Sequence, residues 1–238
     1  MNDGRWFVYL VECTTGRIYT GVTPRLDDRM TAHKRGRGAL FTRINPPERL
    51  LGAKPFADRF GARVAALRLG AAQEYGSEVG ALASAAQLEK VQAHVDDAVA
   101  KGARVVAGGQ ARPELGPFFY EPTVLADVTP EMDVYREETF GPVVAIYPYA
   151  SVDEAVDAVN DTEYGLNASV YCGDVKKGTR IAERLMAGTV NVNDGYSSGW
   201  ASIDAPMGGM KQSGVGRRHG RDGLLKYTES QTIAVRSA

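Results

Sequence analysis

The sequence predicts an α/β fold built on a mainly parallel sheet, preceded by a small α+β hairpin–helix segment. Three observations predict it. Strand-like and helix-like stretches alternate from about residue 84 to residue 193, the pattern that lays helices on the faces of a parallel sheet. Two helix starts in that region are written as capping pairs, Ser84 with Gln87 and Ser151 with Glu154. Before it, WFVYLVE and RIYTGV are runs of β-branched and aromatic residues on either side of Gly16, which reads as a β-hairpin.

Taken in order, the hairpin is followed by a polar run opened by Pro24. Its apolar positions, Leu26, Met30 and Ala32, predict a short amphipathic helix stopped at Gly36 and Gly38. FADRFGARVAALRL has a helical period, with Phe56, Phe60, Val64, Leu67 and Leu69 as candidate buried positions. SAAQLEKVQAHVDDAVAKG is the next helix, with Gly102 as its stop. ARVVAGG, FFYEPTVL, VVAIYPY, ASVYC and GTVNVN are strand candidates. SVDEAVDAVN and, after Asp174, VKKGTRIAERLMAG are the helices between them. LLKYTESQTIAV alternates and predicts a terminal strand. A boundary is expected in PPERLLGAKP, giving segments 1–52 and 53–238.

Bulk properties narrow the function. At 44% hydrophobic and 24% charged, the 238 residues suit one large or two small globular domains rather than disorder. A net charge of −1 argues against wholesale nucleic-acid or membrane-surface binding, and two cysteines, Cys13 and Cys172, do not make a disulfide framework. The first residues, MNDGRWFVYLVE, have neither a basic segment with a long apolar run nor membrane-spanning length, so a cytoplasmic protein is expected.

FVYL, YTGVT, and Arg29 with His33 one helical turn apart resemble the GIY-YIG nuclease family, over Trp6 to about Leu51. The glycine-rich basic stretch HKRGRGALFTR belongs to the same resemblance. It implies that Tyr9 and Tyr19 handle the proton of an attacking water, that Arg29 stabilises phosphorane charge, and that His33 assists proton transfer. From Arg25 to Arg49 seven Lys/Arg stand against three Asp/Glu, a surplus that would attract phosphates, with nucleic acid as partner and Mg²⁺ as cofactor. The same tyrosines would equally suit plain hairpin positions and the arginines a solvated face. The family's metal-holding glutamate should fall near residue 66, where the chain reads RVAALRL without an acid; the nuclease part is therefore expected to be truncated and not to cleave.

From about Phe56 onward the chain resembles aldehyde dehydrogenases. The collinear stretches are EVGALASAAQLEKV, GPFFYEPTVL, EETFGPVV, NDTEYGLNASV, GTVNVN and APMGGMKQSGVGRRHG, with DAPMGGMKQSG and GLLKYTESQT most like bacterial succinate-semialdehyde dehydrogenases. The resemblance implies oxidation of an aldehyde, plausibly succinate semialdehyde, with NAD or NADP. It assigns Glu138 to the nicotinamide-ribose hydroxyls and Phe140 to the nicotinamide itself, where the plain alternative for Glu138 is a surface acid before a strand. Residues 193–202 would border the aldehyde pocket, and LLKYTESQTIAV would be an arm adding to a sheet across a homo-oligomer interface or, more plainly, an intramolecular edge strand. GVGRRHG mimics a phosphate loop with the wrong spacing and reads as a turn.

That family attacks its aldehyde with a cysteine thiolate lying before the FADRF-like helix. Cys13 falls in the nuclease-like hairpin and Cys172 at the end of ASVYC, where a small buried hydrophobe is expected. No catalytic residue for aldehyde oxidation is therefore assigned, and the chain is expected to be inactive in it. The two segments meet near Leu51–Phe56 without a linker, as a gene fusion, a deletion or an assembly error would leave them. A domain without its neighbour would expose an apolar face, which favours association. A metal-dependent nuclease and a non-catalytic protein that joins a full-length dehydrogenase are the rival readings.

Overall fold

A computed structural model describes residues 6–15, 18–56, 59–71 and 76–236. The chain divides into two compact units, Met1–Tyr147 and Pro148–Ala238.

In the first unit, β1 (Trp6–Cys13) and β2 (Ile18–Thr23) form the expected antiparallel hairpin, with Tyr9 opposite Gly21 and Val11 opposite Tyr19. Helices α1 (Leu26–Lys34) and α2 (Leu40–Ile44) follow. Then β3 (Pro47–Phe56) pairs antiparallel with the other edge of β1, giving the order β2-β1-β3. β3 runs without a break through residues 52 and 53. The helix expected from Phe56 is consequently shorter, α3 (Arg59–Ala65), because strand pairing with β1 claims Phe56. Gly61 and Ala62 are its buried face, while Phe60, expected inside, is 48% exposed and Leu67 is exposed too. Small residues let α3 lie close, and it touches both the β1–β3 sheet and strands β4 and β5 introduced next.

Helix α4 (Ala85–Ala100) starts at Ser84, whose hydroxyl accepts the Gln87 N–H at 3.2 Å. It ends at Gly102, which takes φ +105° while its own N–H reaches Val99. β4 (Arg104–Ala107) pairs antiparallel with β5 (Thr123–Ala126). After α5 (Asp133–Arg136), β6 (Val143–Ile146) pairs parallel with β5. The core under this sheet is Val91, Val95 and Ala98 of α4 with Tyr120, Leu125 and Met132, all nearly sealed from water.

In the second unit Ser151 caps α6 (Val152–Asn160): its hydroxyl accepts the Glu154 N–H, and the Glu154 carboxylate accepts the Ala150 N–H. β7 (Tyr164–Gly165) and β8 (Asn167–Val170) follow. α7 (Val175–Ala182) is capped by Asp174, which accepts from Lys176 and Lys177 N–H. β9 (Thr189–Val192) lies parallel to β8, a β–α–β crossover as the alternation predicts. α8 (Ser197–Ala201) precedes β10 (Met210–Lys211), which pairs antiparallel with β7. GVGRRHG is a turn, closed by the Met207–Arg218 pairing. The expected terminal strand does not form. Leu224 and Leu225 end α9 (Gly220–Leu225), and residues 227–236 have no regular structure, since no strand among the described residues pairs with them. No described helix is long and apolar enough to cross a membrane.

Candidate functional site

Two clusters in the first unit gather the residues that the sequence singles out. The first lies where β1, β2 and α1 meet. Side chains alternate along a strand, so Tyr9 and Val11 share the inward face of β1, and Tyr9 is 0% exposed. Arg29 and His33, four residues apart on α1, both reach it: Arg29 Nε–H donates to Tyr9 Oη at 3.1 Å, and Tyr9 Oη lies 2.7 Å from His33 Nε2. The Tyr19 ring packs 6.1 Å from Tyr9 and 5.3 Å from His33, and its hydroxyl interacts with both Tyr9 and Arg29. All four predicted residues therefore converge.

Their chemistry is coupled. Burial pushes the Tyr9 phenol up to about 12, although the Arg29 hydrogen bond pulls it down. Burial, and then the Arg29 charge, hold the His33 imidazole below its ordinary range. The hydrogen bond to Tyr9 raises Arg29 in turn. At neutral pH the cluster therefore carries its positive charge on Arg29, beside an uncharged tyrosine and histidine. Two further members escaped sequence reading. Thr42 Oγ1 lies 2.7 Å from His33 Nδ1, and Gly38 is the only residue type that fits, because a Cβ there would stand 2.1 Å from Nδ1. The signal was present in HKRGRGALFTR, where Gly38 and Thr42 lie one helical turn apart. Among the described residues no three His, Cys, Asp or Glu side chains gather as a metal site.

The second cluster is the loop at residues 137–141, seated on α4. Gln87, Lys90, Val91 and His94 form one stripe of that helix. The Gln87 side-chain amide donates to the carbonyls of Thr139 at 2.7 Å and Phe140 at 2.9 Å. Buried His94 places Nδ1 3.0 Å from Thr139 Oγ1 and Nε2 3.4 Å from Glu137, which Lys90 approaches at 3.9 Å. Gly141 passes so close to Val91 that a Cβ would meet its Cγ2 at 2.4 Å. Held from below, the loop turns Glu138 and Phe140 to solvent, with Phe140 74% exposed at φ +49°, while Thr139 between them is buried. A left-handed phenylalanine costs roughly 1 kcal/mol, so the loop's anchors are holding it there. An exposed carboxylate can accept hydroxyl hydrogen bonds, and an exposed ring offers an apolar face.

Cys13 is buried on β1, where burial pushes its thiol up. Cys172, in the second unit, is only half-buried and lies just beyond β8; Asn193 clasps its backbone, accepting the N–H at 2.7 Å and donating to the carbonyl at 2.8 Å. Next to it Asp194 accepts from Ser197 and Ser198 side chains and from Gly195 and Ser198 N–H. These bonds, the Ser198 hydroxyl first, bring its carboxyl down to about 2.

Comparison with known proteins gives two matches. The aldehyde dehydrogenase family model matches residues 51–233, and the GIY-YIG catalytic domain model matches residues 5–60. A Mycobacterium tuberculosis protein named "Putative succinate-semialdehyde dehydrogenase (NADP(+)) 2" is 62% identical over 183 residues, covering 77% of this chain and 35% of its own length. A 3-sulfolactaldehyde dehydrogenase of Pseudomonas putida is 42% identical over 76% of this chain and 36% of its own. Among solved structures, a succinate-semialdehyde dehydrogenase from Burkholderia pseudomallei superposes with a TM-score of 0.65 at 44% identity, over 70% of this chain and 34% of that one. An M. tuberculosis aldehyde dehydrogenase complexed with NAD+ gives 0.65 at 37% identity over the same shares. The chain thus spans about a third of the length of the curated relatives it matches.

Proposed function

Because this chain belongs to the aldehyde dehydrogenase family, matched over residues 51–233, we propose that its 137–141 loop receives the nicotinamide end of NAD or NADP. The family reaction would be oxidation of an aldehyde, on this reading succinate semialdehyde, to its acid. One observation carries the reading: Glu138 and Phe140 are both exposed to solvent on a loop braced by Gln87 and His94. Glu138 would accept from the ribose hydroxyls and Phe140 would pack on the nicotinamide. The cofactor supplies the hydride acceptor; the chain's residues orient it.

These 238 residues are proposed not to oxidise the aldehyde by themselves, since Cys13 is buried with a raised thiol and Cys172 stands half-buried on the backbone clasp of Asn193. The test incubates the full chain with NAD(P)+ and succinate semialdehyde. Reduced cofactor whose formation is abolished by Cys13→Ala or Cys172→Ala would overturn this. Quenching of protein fluorescence by NAD(P)+, weakened by Phe140→Ala, is expected from the loop. The division at residues 52 and 53 is proposed as one of descent, in a cytoplasmic protein. The 224–238 segment, with Tyr227, Ile233 and Val235 exposed, is proposed to join copies of the chain, so its deletion should lower the mass seen by light scattering.

A second reading is favoured by the convergence of Tyr9, Tyr19, Arg29 and His33. In it, Tyr9 takes a proton from an attacking water while passing its own to His33, which avoids a free phenolate that burial disfavours. Arg29 would meet the phosphate. Plasmid nicking that disappears in Tyr19→Phe or Arg29→Ala would support it; no nicking by the wild type in Mg²⁺ would end it.

A further inference from the structure

The GIY-YIG reading names four residues, and the structure adds a fifth whose role follows from counting protons. Thr42 Oγ1 has one hydrogen and donates it to the Ala39 carbonyl at 2.9 Å. Its oxygen also stands 2.7 Å from His33 Nδ1. Two lone pairs cannot face each other at that distance, so Nδ1 carries the hydrogen and Thr42 accepts it. The neutral ring then has its lone pair at Nε2, 2.7 Å from Tyr9 Oη, and Tyr9 must be the donor there. Tyr9 keeps two lone pairs for its other neighbours, the Arg29 Nε–H at 3.1 Å and the Tyr19 hydroxyl. One direction of donation thus runs from Arg29 through Tyr9 to His33, Thr42 and Ala39.

We propose that Thr42 is a positioning residue that fixes the His33 tautomer, so that His33 accepts rather than donates toward Tyr9. The opposite tautomer would point an N–H at the Tyr9 oxygen and turn the Tyr9 proton away from His33, toward Tyr19. Gly38 keeps the space that Thr42 and His33 share, since any Cβ at 38 would lie 2.1 Å from Nδ1 and 2.6 Å from Thr42 Oγ1. In the relay the Tyr9 Oη–H bond breaks as Nε2–H forms, Tyr9 Oη gains the water proton, and the imidazolium keeps Nδ1–H on Thr42. No oxidant or co-reactant is required.

The inference rests on the nuclease reading for its purpose but is tested apart from it. The full chain is labelled with ¹⁵N-histidine; it has three histidines, and His33→Gln identifies the signal. The wild type is expected to show a protonated Nδ1 and a bare Nε2 at His33. In Thr42→Val both resonances should move toward the average of the two forms, while Thr42→Ser should restore them. A wild-type His33 protonated at Nε2, or a Thr42→Val spectrum unchanged from wild type, overturns the proposal. If Thr42→Val fails to fold, the wild-type tautomer alone still decides. Nicking is measured in parallel, with a loss on the order of 10²-fold expected in Thr42→Val and recovery in Thr42→Ser. Absent wild-type nicking alongside the expected tautomers defeats the nuclease reading alone; nicking alongside an unchanged tautomer defeats the role of Thr42 alone.

Discussion

The Tyr9 cluster and the 137–141 loop solve opposite problems with the same few residue types. Around Tyr9, hydroxyl, imidazole and guanidinium groups turn inward and satisfy one another, leaving one charge on Arg29. In the loop, Thr139 turns inward while Glu138 and Phe140 are presented outward, and the helix below gives Gln87 to the loop's backbone and His94 to the Thr139 hydroxyl. A closed network is stable without a ligand and fixes protonation states. An open loop fixes only positions, and leaves its outer groups to be satisfied by something else. The proposed roles follow that difference, reactivity being assigned to the first region and recognition to the second.

Breaking the closed network should give the largest effect. On the nuclease reading, Arg29→Ala removes the donor to Tyr9 and the charge that, after burial, holds His33 down, so nicking should fall roughly 10²–10⁴-fold in a plasmid assay. The His33 titration followed by NMR should move upward at the same time. Neither change should touch the loop, and NAD(P)+ quenching should be unaltered.

Alkaline titration compares buried tyrosines of the two regions. Tyr120, packed with Val91 and Val95 beneath the loop, is pushed by burial to about 12, as Tyr9 is. Both phenols are stabilised in their protonated form, so the contribution is complete below the ordinary value of 10.0 and disappears as pH climbs from there through about 12. For Tyr120 it amounts to roughly 3 kcal/mol. Both should ionise well above the ordinary phenol range in an ultraviolet titration. Arg29→Ala should delay Tyr9 further and leave Tyr120 in place.

Much of this architecture was legible in the chain because local rules and tertiary contacts agree. Ser84, Ser151 and Asp174 cap the helices they precede, and the β8–α7–β9 crossover follows from alternation. Legibility failed where a distant partner decided. Phe56 has a helical period with its followers, yet β1 pairs with it as a strand. LLKYTESQTIAV alternates, yet without a paired neighbour its first residues close a helix. At the sites, the residues carried by family pattern were found, while Thr42 and Gln87 were not. Each acts through a partner 9 or more residues away, His33 in one case and Thr139 in the other, which no local period reveals.

Glycine contacts sharpen the contrast at intermediate size. Gly38→Ala drives a methyl into His33 and Thr42, and Gly141→Ala drives one into Val91. Each should cost about 1–3 kcal/mol in denaturant unfolding. Only the first should disturb the His33 resonances, and only the second should weaken NAD(P)+ quenching.

The smallest effects separate the two jobs of the α4 N-terminus. Ser84 only caps the helix, so Ser84→Ala should cost about 1 kcal/mol and leave the loop as it is. Gln87→Ala removes two donors from the Thr139 and Phe140 carbonyls; Phe140 is exposed, so water can replace at least one of them, and the cost is again about 1 kcal/mol. The loop, however, loses its tether on the side that holds Phe140 at φ +49°. Backbone amide exchange around 139–143 should therefore quicken in Gln87→Ala and not in Ser84→Ala, at nearly equal global stability. Equal exchange in both would mean that His94 and the Gly141–Val91 contact hold the loop alone, and that an open site needs fewer anchors than a closed one needs partners.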